Sequence, residues 1–176
     1  MTSKTLAALA ALVLFAGPAA VAQQQQQAPA AAAAPLPYGM PIAFDAARKA
    51  MAAAEKEAAE NNWNVAVAIV DSGGHLVMMH RLDGVQIASI RIAEGKARSA
   101  LEFRRPTKAL EDAVAGGGAG LRLLALEGVT PLEGGVPIQA GGRIVGALSV
   151  SGAAQYMDDA RMEALTADVV ATANDV

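Results

Sequence analysis

The chain has 176 residues, 14 basic and 17 acidic side chains and no cysteine. That length suits one ordinary domain with a sizeable core, and the missing thiols exclude disulfides, thiolate metal sites and cysteine nucleophiles. The formal net charge of −3 argues against nucleic acid or an anionic membrane surface as the main partner.

The N-terminus carries the pattern of an export signal. Lys4 supplies a positive start, Leu6 to Phe15 is an unbroken apolar run, and Ala20-Val21-Ala22 is the small-x-small sequence that a signal peptidase requires. The apolar run is shorter than the roughly 20 residues that span a bilayer, and Gly17-Pro18 interrupts it. Residues 1–22 are therefore expected to be cleaved before Gln23, leaving a periplasmic or secreted protein with no stable membrane insertion. Cleavage removes one charged residue, Lys4, and makes the mature chain slightly more acidic. Residues 23–40 begin QQQQQAPAAAAAPLP, too poor in bulky apolar side chains to bury anything, and are expected to form a disordered tether. The folded domain is expected over residues 41–176.

From Pro41 the segment FDAARKAMAAAEKEAAENN predicts a helix whose apolar stripe is mostly alanine, ending at Asn61-Asn62. Val65 to Val70 is a run of β-formers and alanine closed by Asp71-Ser72-Gly73-Gly74, and His75 to Leu82 follows as the second strand of a hairpin. Alternation puts Leu76, Met78 and His80 on one face and His75, Val77, Met79 and Arg81 on the other. Both faces carry apolar side chains, so both are expected to be covered.

Val85 to Leu101 returns to a helical period, and Pro106-Thr107 opens a short helix, KALEDAVA, stopped by the glycines of 116–120. Leu121 to Glu127 carries no decisive period. GGVPIQA and RIVGALSVS flank Gly141-Gly142 as a second hairpin. A last helix is expected from about Gln155 to Ala173, with Asp158 and Asp159 in its first turn. Tight hairpins make neighbouring strands antiparallel, and the intervening helices must cover the sheet. The expected fold is α/β (α+β), a sandwich around an antiparallel sheet of about five strands, as is typical of sheets.

Catalytic motifs are sparse. There is no G-x-S-x-G elbow and no H-E-x-x-H, and the GGGAG at 116–120 lacks the Lys and Ser/Thr of a phosphate loop. The two histidines, His75 and His80, are the only imidazoles available to a metal, and imidazole is a common haem-iron ligand. His80 shares its face with Met78, a candidate thioether ligand, whereas His75 sits beside the turn. Lys96 and Ser99, three apart on a helix, could together hold a carboxylate or propionate. Few aromatic residues remain after cleavage (Tyr38, Phe44, Trp63, Phe103 and Tyr156), which favours a shallow or inter-subunit site over a deep aromatic cage.

Three segments, VAIVDSGGHLVMMHRLDGV, EGKARSALEFRRPT and EGGVPIQAGGRIVGALSVSGA, resemble motifs of the GlcG/HbpS family of haem-binding proteins and occur in the same order. The chain resembles that family over most of 41–176. The resemblance implies a profilin-like α-β-α fold, homo-oligomers and haem as cofactor, in a family that also supplies the C-terminal domain of PduO-type corrinoid adenosyltransferases. Carried over by position, it points to Asp71, Gly73, Gly74, His75, Arg81, Asp83, Lys96 and Ser99, with Ser99 replacing the usual threonine and Leu82 a common methionine. The expected function is an exported haem-binding protein for capture, buffering or sensing, with no turnover of its own. Its candidate cofactor contacts are His80, His75, Met78, Arg81, Lys96 and Ser99, with His80 or His75 on the iron. The alternative is an enzyme or accessory factor acting on an organic acid or corrinoid, with Lys96, Ser99 and Arg81 as anion-binding groups.

Overall fold

A computed structural model describes residues 34–153. The expected signal peptide, most of the leader and the expected last helix lie outside them. In chain order, α1 (Phe44–Glu60) is followed by a hairpin of β1 (Val65–Asp71) and β2 (Leu76–Arg81). Then come α2 (Ala88–Phe103), α3 (Lys108–Ala115), a 3-10 segment over Gly118–Ala125, and a second hairpin of β3 (Gly135–Ala140) and β4 (Arg143–Gly152). The strands form one antiparallel sheet in the order β2-β1-β4-β3. No helix among the described residues is long and apolar enough to cross a membrane.

Four strands appear among the described residues, against the expected five. The undecided 121–127 stretch is dominated by leucine rather than β-branched residues and joins the 3-10 segment instead. The other sheet pairing is a single bridge, Tyr38 to Ile144, fixed by the Gly39 N–H on Ile144 O and the Ile144 N–H on Pro37 O. The chain thus joins the fold a few residues before Pro41. The Tyr38 hydroxyl donates to Leu101 O at 2.9 Å, and the Arg104 guanidinium lies 5.4 Å from the Tyr38 ring centroid, within cation–π range.

The sequence VAVAIV explains the two-layer core. Val65, Val67 and Ile69 face α1, joining Ala46, Ala47, Ala50, Met51 and Ala54 with Ile138, Leu148 and Val150. Ala66, Ala68 and Val70 face α2 and meet Ala93, Ala97, Ala100 and Leu101. Alanine opposed to alanine lets α2 lie close to the sheet, so small volume changes there are felt. Pro137 is tolerated because β3 is an edge strand among the described residues.

The first turn shows why D-S-G-G occurs. The Asp71 carboxylate accepts from the N–H groups of Gly73 and His75 at 2.8 and 3.0 Å, and Gly74 has a φ of +82°, a conformation that favours glycine. Burial alone would raise the Asp71 carboxyl, but these two hydrogen bonds and the adjacent His75 imidazole hold it below its usual value. Arg98 ties the turn to α2 by donating to Gly74 O at 3.1 Å and pairing with Glu94 at 2.6 Å.

Strict alternation fails at one point in β2. Ile69 pairs with Met78 but Val70 pairs with Leu76, so Val77 is the extra residue of a β-bulge. Leu76, expected beside Met78 and His80, instead lies opposite Val70, a residue of the α2-side core.

Candidate functional site

A groove lies between α1 and β2. It has a volume of about 390 Å³ and is lined by Phe44, Arg48, Met51, Ala52 and Glu55 of α1 with Met78 and His80 of β2. The helix residues recur at intervals of three and four and therefore form one stripe. Met78 and His80 are two apart on the strand, opposite Ile69 and Val67, and so face the same way. Phe44, Met51, Ala52 and Met78 make the walls apolar, and Arg48 is the one positive charge among the lining residues. The volume falls within the roughly 300–1,000 Å³ of small-molecule sites.

Glu55 closes on His80 through a short contact between Oε1 and the imidazole Nδ1. With Nδ1 as donor to the carboxylate, Nε2 is the ring's free electron pair, and it has no hydrogen-bond partner among the described residues. The side chain of His80 is 45% exposed on the wall of this groove.

The other candidates sit elsewhere. His75 is on the hairpin turn, 83% exposed, with Nδ1 3.4 Å from Asp71 Oδ1. Arg81 pairs with Ala66 and so belongs to the α2 side of the sheet, away from the groove. Lys96 is only 4% exposed, and its ammonium donates to Glu133 O at 2.7 Å and Val150 O at 2.5 Å. Burial pulls its pKa down from 10.5 to about 8 against the opposing pull of Glu111 and Glu133. Ser99 is fully buried, and its hydroxyl accepts from the Thr130 N–H at 2.9 Å. The structure thus brings His80 and Met78 together, and it gives the polar atoms of Lys96 and Ser99 partners in the protein's own backbone.

Arg48, Glu55, Phe44 and Met51 are not among the candidates read from the sequence. Their common spacing on α1 is the available signal, but it could not be matched to β2 before the pairing register was known. No cluster of three or more His, Asp or Glu side chains able to hold a bare metal ion occurs among the described residues.

The family model described as "Haem degrading protein HbpS-like" matches residues 42–167. The chain belongs to the HbpS-like family. Protein GlcG of Escherichia coli strain K12 is 42% identical over 101 residues, covering 57% of this chain and 74% of GlcG. Among solved structures, Klebsiella pneumoniae protein ORFY superposes with a TM-score of 0.67 at 28% identity, covering 77% of this chain and 92% of that one. A double mutant of Streptomyces reticuli HbpS gives a TM-score of 0.64 at 32% identity, covering 80% and 95%. The sheet with helices on both faces is the profilin-like fold of these relatives.

Proposed function

We propose that this protein is an exported haem-binding protein acting in haem capture, buffering or sensing, with haem seated in the α1–β2 groove. The observation that carries the reading is the half-exposed His80 imidazole, held at Nδ1 by Glu55 on the wall of an apolar groove. The residues fit the group. Phe44, Met51, Ala52 and Met78 offer apolar surface to a porphyrin, Nε2 of His80 is a donor to iron, and Arg48 can pair with a propionate carboxylate. Bound haem supplies a redox-active iron; the chain supplies binding, orientation and partial exclusion of water. Membership of a family described by haem degradation supports a haem-related role.

Export to the periplasm or outside the cell is part of this proposal and is supported by the signal pattern of residues 1–22. Self-association is proposed from the family resemblance and is consistent with the exposed Leu121, Leu124, Leu126 and Leu132 around the 3-10 segment. Light scattering of the mature protein should then give more than a monomer mass.

Haemin titration tests the site. We expect a saturable Soret shift with one haem per subunit, lost in His80→Ala and kept in His75→Ala. A spectrum that remains that of free haemin, or loss of binding only in His75→Ala, would overturn the assignment.

A further inference from the structure

The Glu55–His80 pair joins a helix to a strand across 25 positions of sequence at the edge of the groove. Both side chains are partly open, His80 at 45% and Glu55 at 36%. A half-exposed contact of this kind contributes little to stability, because water competes for both partners. Its position suggests a different use. Of the two imidazole nitrogens it engages Nδ1, which selects the tautomer and fixes the ring plane while leaving Nε2 as the donor atom.

We propose that Glu55 is a positioning residue that sets the donor strength of His80 and thereby holds bound haem iron toward the ferric state. This rests on the haem reading of the groove. A carboxylate that accepts the Nδ1 proton pushes electron density into the ring, making Nε2 a stronger donor and favouring the more highly charged iron. A porphyrin over the groove would also shield the pair from water, and the hydrogen bond from Nδ1–H to the carboxylate is stronger in that lower dielectric. Arg48 and Glu55 are the other ionisable residues lining the groove beside His80. The Glu55 carboxylate contacts the imidazole, and Arg48 lines the same groove.

The test is spectroelectrochemical titration of haem-loaded wild type, Glu55→Gln and Glu55→Ala, with haem stoichiometry and thermal midpoint measured alongside. Glu55→Gln keeps the shape and the acceptor oxygen but removes the charge. The expected result, read on protein saturated with haem, is a higher midpoint potential in Glu55→Gln, with a rise at least as large in Glu55→Ala. An unchanged potential in both variants, with haem bound through His80, overturns this inference and leaves the groove assignment standing. Failure of the wild type to bind haem overturns both.

Discussion

Replacing Lys96 by methionine removes a buried charge without removing much volume, and its effect on stability should depend on pH in a defined direction. The folded-state pKa is pulled down from 10.5 to about 8 by burial. A lysine whose folded value is depressed binds its proton more weakly in the native state than in the unfolded chain. Between pH 8 and 10.5 the unfolded chain therefore holds a proton that the folded one has released, and stability rises with pH through that window. The change from 10.5 to about 8 corresponds to about 3 kcal/mol. The absolute difference at pH 7 mixes two opposing effects: the variant loses the desolvation cost of the ammonium but also loses its hydrogen bonds to Glu133 O and Val150 O, at about 1.5–3 kcal/mol for each bond from a charged donor. The slope separates them. Guanidinium denaturation of wild type and Lys96→Met, at intervals from pH 7 to 10.5, should show wild type gaining about 3 kcal/mol on the variant. Other titrating groups are common to both proteins and cancel. Parallel curves would show that burial does not depress Lys96, and a relative fall in wild-type stability would show that the two carbonyls stabilise the ammonium by more than burial destabilises it.

Gly135→Ala should destabilise the fold by about 1–3 kcal/mol, read as a lower denaturation midpoint, because its Cβ would lie 2.6 Å from the Lys96 carbonyl oxygen and 3.0 Å from Thr107 Cγ2. Tyr38→Phe should cost about 0.5–1.5 kcal/mol through loss of the hydroxyl donated to Leu101 O, with haem stoichiometry unchanged. Wild-type stability in Tyr38→Phe would mean that the bridge to Ile144 and the Arg104 contact hold this segment without the hydroxyl.

Several elements are local enough to read directly from residues. The Asp71–Gly74 turn follows from a carboxylate that caps two N–H groups and a glycine at positive φ, all within five positions. Helix α3 starts and stops where Pro106-Thr107 and Gly116 indicate. The continuous apolar run in β1 implies burial on both faces, and α1 and α2 provide it. Leu121 to Glu127 was not legible, because a leucine-rich stretch without β-branched residues fits a buried strand pattern or a short helix, and periodicity cannot separate them.

The candidate site was legible in half. His80 and Met78 share a strand, and a period of two relates them without any long-range knowledge. Glu55, Arg48 and Phe44 lie more than twenty residues away on α1, and nothing local ties them to His80. The bulge at Val77 shows the same limit, since one extra residue turns Leu76 to the other face and only the pairing with β1 reveals it. Lys96 and Ser99 share a helix face, as their spacing required, but spacing does not say whether that face meets solvent or protein. By itself the amino-acid sequence determined the turns, the helical and strand periods, and the family, because each depends on contacts within a few positions or on motif order. The tertiary structure alone decided that Glu55 meets His80 and that Lys96 spends its hydrogen bonds on the backbone, because both depend on which distant segments pack together.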